Sequence, residues 1–160
     1  MTTVNGNILT PYKGERVVIV CHQVNCKGVM GAGLAKQVKL KHPVVYQLYK
    51  EKCKLIADGV GGLGDVQFCS TSSGYIVANI FAQNSYGYSG QYTDYDALRK
   101  AFSCISSSYP NAIIRIPYKI GCGYGGGNWS VVSKIIADAF GLNSRNVEIW
   151  MLPKADVTNL

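Results

Sequence analysis

Two glycine-rich segments are the feature of this sequence most able to do chemistry. The first is HQVNCKGVMGAGLA at 22–35, which joins an apolar run to a stretch with helical periodicity. The second is GCGYGGGNW at 121–129, with five glycines in its first seven residues. Glycine lets the main chain come close to an anion and leaves backbone N–H groups free to donate. Because each glycine also raises the entropic cost of folding, the two segments together predict a nucleotide-diphosphate site.

Neither segment has the spacing of the two commonest nucleotide-binding motifs. Gly31-x-Gly33 lacks the third glycine of the dinucleotide-binding fingerprint, and no acidic residue ends a second strand about twenty residues later. No Gly-Lys-Ser/Thr follows either segment, which argues against a P-loop.

His22, at the start of the first segment, could take part in catalysis. A neutral imidazole can activate water or protonate a leaving group. In the alternative interpretation, His22 ends a buried strand and hydrogen-bonds a backbone carbonyl. Asp94 or Asp96 is the nearest candidate for an acid partner, although Thr93 and Asp94 also fit the N-cap of a helix.

Other polar and aromatic side chains flank the glycine-rich segments. Lys27 and Lys119 could neutralise a terminal phosphate, or could be ordinary solvated lysines. His42, directly before Pro43 at a predicted helix boundary, is expected on the surface. Four tyrosines could stack on a base or a ribose: Tyr86, Tyr88, Tyr92 and Tyr124.

The segments that must position these residues alternate between strand and helix. Strands are predicted at 3–8, 16–20, 65–69, 75–81, 112–116 and 147–152, and helices at 34–41, 44–52, 94–107 and 131–140. This order predicts an α/β protein with three α/β/α layers and a central mixed, mostly parallel sheet. Ligands of such sheets bind beyond the carboxyl ends of the strands, where both glycine-rich segments would lie.

Length and charge restrict the class of protein. A chain of 160 residues is the size of one domain, so we expect a single domain over 1–160. The net charge of +7 favours an anionic partner, unless the lysines only solvate two helix faces. The lysines concentrate in one stretch: Lys36, Lys39, Lys41, Lys50, Lys52 and Lys54.

The cysteines and the apolar runs indicate the compartment. None of the six cysteines forms a C-x-x-C pair, so we expect neither disulfides nor a metal site, and the sequence calls for no cofactor. Neither a signal peptide nor a membrane-spanning run is present, which predicts a cytoplasmic monomer without a membrane partner. Buried free thiols are expected at Cys21, Cys53, Cys69 and Cys104.

Three separated motifs give the sequence a resemblance to the macrodomain superfamily. They are Gly6-Asn7-Ile8, NCKGVMGAGLA at 25–35 and PYKIGCG at 117–123, and they extend over nearly the whole chain. The sequence is similar to the branch that contains terminal ADP-ribose glycohydrolases, antitoxin macrodomains that reverse DNA ADP-ribosylation and yeast-type ADP-ribose 1''-phosphate phosphatases. Bacterial and phage reading frames are also similar to it. The resemblance implies the macrodomain fold and an ADP-ribose ligand.

The resemblance also implies a role for each motif. Asn7 stands in the adenine pocket where many macrodomains have an aspartate, and its amide oxygen can accept the same hydrogen bond. Asn25 and the segment 30–35 would hold the distal ribose and one phosphate, and the segment 121–127 would wrap the diphosphate. The implied ligand-binding residues are Asn7, Ile8, Asn25, Gly31, Ala32, Gly33, Leu34, Ala35, Lys119, Gly121, Cys122, Gly123, Tyr124, Gly125 and Gly126.

The catalytic groups of that branch are only partly present. Its glycohydrolases have a lysine after the middle strand and, in one subgroup, an acid in the second glycine segment, whereas 81–92 and 121–127 here contain neither. His22 matches a histidine proposed to act in the yeast-type phosphatase. We therefore expect a phosphatase acting on ADP-ribose 1''-phosphate, with His22 and Asp94 as catalytic residues and no metal.

Three other functions stay open at this point. A non-catalytic module could read or sequester ADP-ribose or a related nucleotide. A glycohydrolase could act on an ADP-ribosylated macromolecule, although the missing lysine argues against it. Binding of single-stranded nucleic acid through the lysines and tyrosines is a further alternative.

Overall fold

The computed structural model describes residues 1–153, which form one six-stranded sheet covered by helices on both faces. The strands are β1 Thr2–Asn5, β2 Val18–Asn25, β3 Val66–Ser70, β4 Ile76–Gln83, β5 Ile113–Pro117 and β6 Val147–Met151. The helices are α1 Gly33–Lys41, α2 Pro43–Ala57, α3 Tyr95–Ser108 and α4 Trp129–Phe140, followed by the short 3-10 helix Gly141–Asn146.

The sheet is mixed and mostly parallel, which confirms the predicted fold class. Its strand order is β1-β6-β5-β2-β4-β3, and β3 pairs antiparallel to β4 while the other pairs are parallel. The carboxyl ends of β1, β6, β5, β2 and β4 therefore meet at one edge of the sheet. The loops that leave this edge carry both glycine-rich segments.

Alternating side chains of the central strands supply two apolar layers. On one face, Cys21 and Ile80 pack in the cluster that contains Phe102 of α3 and Ile136 of α4. On the other face, Val20 packs with residues of α1 and α2. Burial on both faces explains why β2 and β4 read as nearly continuous apolar runs.

Three element boundaries differ from the predictions by three residues or more. The strand predicted at 16–20 runs from Val18 to Asn25, because β4 pairs with it through its polar end. β1 ends at Asn5, and Asn7 begins a tight turn in which its carbonyl accepts the N–H of Thr10 at 2.9 Å. α2 continues five residues beyond the predicted end at 52.

Two predictions of exposure were wrong. His42 is buried, with 8% of its surface exposed, and its Nε2 lies 2.8 Å from the hydroxyl of Tyr75. Cys104 is exposed on α3, whereas Cys21, Cys53 and Cys69 are buried free thiols as expected. Within residues 1–153, no helix has the length and apolar character needed to cross a membrane.

Candidate functional site

Three adjoining cavities form one groove along the carboxyl edge of the sheet, and the start of α1 lines all three. We name them by their linings: the apolar cavity of about 790 Å³, the glycine cavity of about 610 Å³ and the tyrosine cavity of about 210 Å³. Ala32 lines each of them. The groove is therefore continuous, and its chemistry changes from one end to the other.

The apolar cavity has a flat aromatic and aliphatic lining. Ile8, Leu40, Tyr118 and Trp150 contribute to it. Asn7 also lines this cavity, and its Oδ1 accepts the N–H of Leu9 at 2.9 Å. The lining suits a planar apolar group such as a nucleobase.

Arg115 holds the wall of the apolar cavity in place, although sequence reasoning did not single it out. It lies inside β5 and is buried, and it donates to the carbonyl oxygens of Ile8 at 3.0 Å and Thr10 at 2.7 Å. Its guanidinium carbon lies 4.6 Å from the ring centroid of Trp150. A charged residue inside the apolar run IIRIP was the signal that could have identified it.

The glycine cavity lies between the start of α1 and the second glycine segment. Gly33, Leu34 and Ala35 line it from one side, and Gly121, Gly123 and Gly125 from the other. Ala32 caps α1 without a side-chain hydrogen bond, and no acidic residue lies in the first turn. The first backbone N–H groups of α1 are therefore available to an anion.

Three side chains of the sheet edge support the second glycine segment from below. Gln23 Nε2 donates to Thr93 Oγ1 at 2.9 Å and to Gln83 Oε1 at 2.7 Å. Thr93 Oγ1 in turn donates to the carbonyl oxygen of Gly121 at 2.7 Å. Sequence reasoning missed this network, because its members come from three segments that meet only in the folded chain.

The tyrosine cavity closes the other end of the groove. Tyr88 and Tyr124 come from opposing loops, and their rings meet edge to face with centroids 5.2 Å apart. Both side chains are exposed, by 88% and 60%. The residues that line this cavity carry no charged side chain.

Asn25 lies beneath the tyrosine cavity and shapes the loop that follows β2. Its Oδ1 accepts from the N–H of Lys27 at 2.9 Å and from the hydroxyl of Tyr49 at 2.7 Å. Its Nδ2 donates to the carbonyl oxygen of Val29 at 2.8 Å. The amide of Asn25 thus already has partners within the protein.

His22 lines the glycine cavity but is itself only 2% exposed. Its Nε2 makes a short hydrogen bond to Oδ1 of Asn79, and its Nδ1 has no partner among the described residues. Burial lowers the pKa of His22 from 6.5 to about 4, while the hydrogen bond to Asn79 acts in the opposite direction. The ring is therefore neutral at pH 7 and can accept a proton but not supply one.

Comparison with known proteins gives short matches in sequence. No protein-family model matches the chain. Sixty residues are 37% identical to an ADP-ribose 1''-phosphate phosphatase of Meyerozyma guilliermondii, covering 38% of this chain and 34% of the relative. Another 54-residue match is 41% identical to a Saccharomyces cerevisiae protein with the same description, covering 34% of this chain and 29% of the relative. The chain thus matches about a third of the length of these curated relatives.

Solved structures match over nearly the whole chain. A macrodomain protein from Streptomyces coelicolor aligns with a TM-score of 0.75 at 22% identity, covering 94% of this chain and 97% of that one. The macrodomain of Mycobacterium tuberculosis DarG aligns with a TM-score of 0.73 at 23% identity, covering 95% and 96%. The chain has a macrodomain fold. Thermosipho africanus DarTG, solved in complex with ADP-ribose, aligns with a TM-score of 0.70 at 20% identity over 98% of this chain and 44% of that one.

The structure brings most of the predicted ligand-binding residues into the groove. Thirteen of the fifteen line at least one cavity: Asn7, Ile8, Asn25, Gly31, Ala32, Gly33, Leu34, Ala35, Lys119, Gly121, Gly123, Tyr124 and Gly125. Cys122 does not, because its side chain packs against the core on the α3 and α4 face. Gly126 also lies outside the cavity linings, next to the main chain of Gly90.

The aspartates predicted near His22 have helix roles in the structure. Asp94 is the N-cap of α3, and its Oδ1 accepts the N–H of Ala97 at 2.9 Å. Asp96 is exposed and forms an ion pair with Arg99 at 2.6 Å. Neither aspartate lines the three cavities. The capping alternative that the sequence allowed is the one observed.

The remaining flanking residues divide between groove and surface. Lys119 lines the glycine cavity and has φ +60°, a conformation uncommon for a residue with a side chain. Lys27 and Tyr92 line none of the three cavities, whereas Tyr86 lines the tyrosine cavity. Within residues 1–153, no group of three or more His, Cys, Asp or Glu side chains is placed to hold a metal ion.

Proposed function

We propose that this macrodomain binds ADP-ribose derivatives and hydrolyses a phosphate monoester on the distal ribose, as an ADP-ribose 1''-phosphate phosphatase does. The observation that carries the proposal is the order of the three cavities along one groove. An apolar slot, a backbone-lined anion site and a small polar end follow one another as base, diphosphate and ribose do in the ligand. We also expect a single-domain, monomeric, cytoplasmic protein.

The diphosphate would lie in the glycine cavity. The free N–H groups at the start of α1 and the main chain at Gly123 supply donors from opposite sides. Lys119 lines the same cavity and adds a positive charge. The helix dipole of α1 acts in the same direction as this charge.

The distal ribose and its phosphate would lie between the glycine and tyrosine cavities, beside His22. In the hydrolysis, the oxygen of water forms a bond to phosphorus while the bond from phosphorus to the anomeric oxygen breaks. The electron pair leaves with that oxygen, which takes up a proton from solvent. His22 Nδ1 would accept the proton that the water loses and later release it to solvent, and backbone N–H groups would stabilise the charge on the phosphoryl oxygens.

The proposal is supported by the two yeast relatives, which are described as ADP-ribose 1''-phosphate phosphatases. A glycohydrolase acting on an ADP-ribosylated macromolecule is less well supported, since the tyrosine cavity has neither a lysine nor an acid. That same uncharged lining favours a second candidate, a module that binds ADP-ribose without turnover.

Phosphorus NMR of ADP-ribose 1''-phosphate with the purified protein separates these functions in one sample. A phosphatase converts the monoester resonance into that of inorganic phosphate. A binding module shifts or broadens the diphosphate resonances without forming product. If no resonance changes at all, the groove does not bind this class of ligand.

We predict that Asn7→Asp raises the affinity for ADP-ribose by roughly tenfold. Oδ1 of Asn7 already accepts the Leu9 N–H, and the other polar group of the amide is an NH₂ that cannot accept from an adenine amino group. A carboxylate would keep the Leu9 hydrogen bond and offer a second acceptor. Isothermal titration calorimetry measures the change.

Asn5→Asp is the matched control for this prediction. Asn5 is exposed and lies outside the groove, so the substitution adds the same negative charge away from the ligand. The hypoxanthine analogue of ADP-ribose carries an acceptor in place of the amino group, so Asn7→Asp should weaken its binding. Equal affinities of wild type and Asn7→Asp for both ligands would contradict a contact between residue 7 and the base.

A further inference from the structure

Three polar side chains lie opposite one another across three neighbouring strands. His22 on β2 is in register with Asn79 on β4, and Asn79 is in register with Gln67 on β3. His22 and Asn79 are 2% and 0% exposed. Polar groups buried to this degree reduce stability unless their hydrogen bonds are satisfied, so the arrangement of these bonds is informative.

The hydrogen bonds between them can run in only one direction. At the β3 end, Gln67 Nε2 lies 2.9 Å from the carbonyl oxygen of Leu48, which can only accept. Gln67 must therefore present Oε1 to Asn79, whose Nδ2 donates to it at 3.0 Å. Asn79 in turn presents Oδ1 to the imidazole, so the proton of His22 must be on Nε2.

We propose that Asn79 and Gln67 are positioning residues that hold His22 in the Nε2–H tautomer and so leave the lone pair of the buried Nδ1 as the proton acceptor of the ring. Of the two ring nitrogens of His22, Nε2 is bonded to Asn79 and Nδ1 has no partner within residues 1–153. The catalytic meaning of this arrangement rests on the proposed function, in which Nδ1 accepts the proton of the attacking water. The tautomer itself is a property of the protein without ligand.

A long-range proton–nitrogen correlation spectrum of ¹⁵N-labelled protein tests the tautomer directly. At pH 7, the wild-type spectrum should show His22 with hydrogen on Nε2 and a pyridine-type Nδ1. A His22→Gln variant identifies the signal. A wild-type spectrum with the proton on Nδ1 would overturn the proposal.

Gln67→Met tests the far end of the hydrogen-bonded chain Gln67–Asn79–His22, which we call the relay. Methionine fills a similar volume on the half-buried β3 position but cannot accept from the Asn79 amide. Asn79 Nδ2 then keeps only its weak contact with Cys69 Sγ at 3.8 Å, so the amide can rotate more easily. We expect His22 to populate both tautomers and kcat for ADP-ribose 1''-phosphate to fall roughly tenfold, with KM unchanged. Gln47→Met, at an exposed glutamine of α2 that forms none of these hydrogen bonds, should behave as wild type.

The readouts separate the relay from the proposed function. If Gln67→Met retains the wild-type tautomer, the relay is wrong whatever the enzyme turns over. If the wild-type spectrum shows the Nε2–H tautomer and Gln67→Met disturbs it, the relay is supported even when no phosphate is released. A supported relay without phosphate release would contradict only the proposed phosphatase function.

Discussion

Gly123→Glu is expected to abolish ADP-ribose binding and to leave the fold intact. Gly123 lines the glycine cavity, and a Cβ atom added there would meet no heavy atom within 4 Å. The new side chain would therefore occupy the space proposed for the diphosphate and bring a negative charge into it. We expect the dissociation constant to rise at least 100-fold, on the order of 3 kcal/mol, in calorimetric titration.

Two further variants separate the causes of this loss. Gly123→Gln has nearly the same volume without the charge, so the difference between the two affinities reports electrostatic repulsion. Gly126→Glu lies three residues away with φ +74°, and its Cβ would collide with the carbonyl oxygen of Gly90. That variant should unfold at a clearly lower temperature, whereas Gly123→Glu should keep the wild-type melting temperature. If Gly123→Glu binds ADP-ribose with wild-type affinity, the second glycine segment does not contact the diphosphate.

The contrast between Gly123 and Gly126 also marks how far the sequence could predict the site. Counting glycines singled out the second segment, which lines the glycine cavity, because close approach of the main chain leaves a compositional signal. It could not separate glycines required by packing from glycines that leave room for a ligand. That distinction depends on Gly90 and Thr93, which approach the segment from another loop.

The fold was more predictable than the site for a similar physical reason. Apolar periodicity arises from burial of each element against the sheet, so strands and helices were found from local sequence alone. The end of β2 was predicted too early because His22, Gln23 and Asn25 are polar. In the structure these residues still pair with β4 as part of the strand. Their polarity follows from partners on other strands, and a single sequence does not contain those pairings.

The histidines illustrate the same limit. His42 stands beside a proline at a helix boundary, which favours the surface, yet its ring packs edge to face with Tyr75. His22 was singled out because it matches a histidine of the yeast-type phosphatases, but its partners Asn79 and Gln67 were not identified. Without those partners the sequence left acid and base roles equally open, whereas the buried neutral ring supports only the role of acceptor.

Burial of His22 leads to a second large effect, on stability in acid. Its pKa is about 4 in the folded protein and 6.5 when the side chain is free in solvent. Between these values the unfolded chain binds a proton that the native protein does not, so the free energy of unfolding falls as the pH is lowered. The stabilisation is complete above pH 6.5 and is lost towards pH 4, by about 3 kcal/mol in all.

His22→Gln should remove most of this acid sensitivity. Glutamine can donate an N–H towards Asn79 Oδ1 but does not titrate, so its unfolding free energy should vary about 3 kcal/mol less between pH 6.5 and 4. Urea unfolding at a series of pH values measures both curves. Burial raises the pKa of Asp65, but its contacts with Gly62, Lys52 and Lys100 together lower that pKa by more. Such carboxylates affect both proteins equally and cancel in the difference.

His42→Gln is the matched control, because burial also lowers the pKa of His42 but the group lies away from the groove. It should change the slope less than His22→Gln does. Parallel curves of unfolding free energy against pH for wild type and His22→Gln would mean that the imidazole has its ordinary pKa in the native state. A ring so easily protonated at mildly acidic pH could supply a proton to a leaving group, and His22 would then regain the general-acid role that its burial excludes.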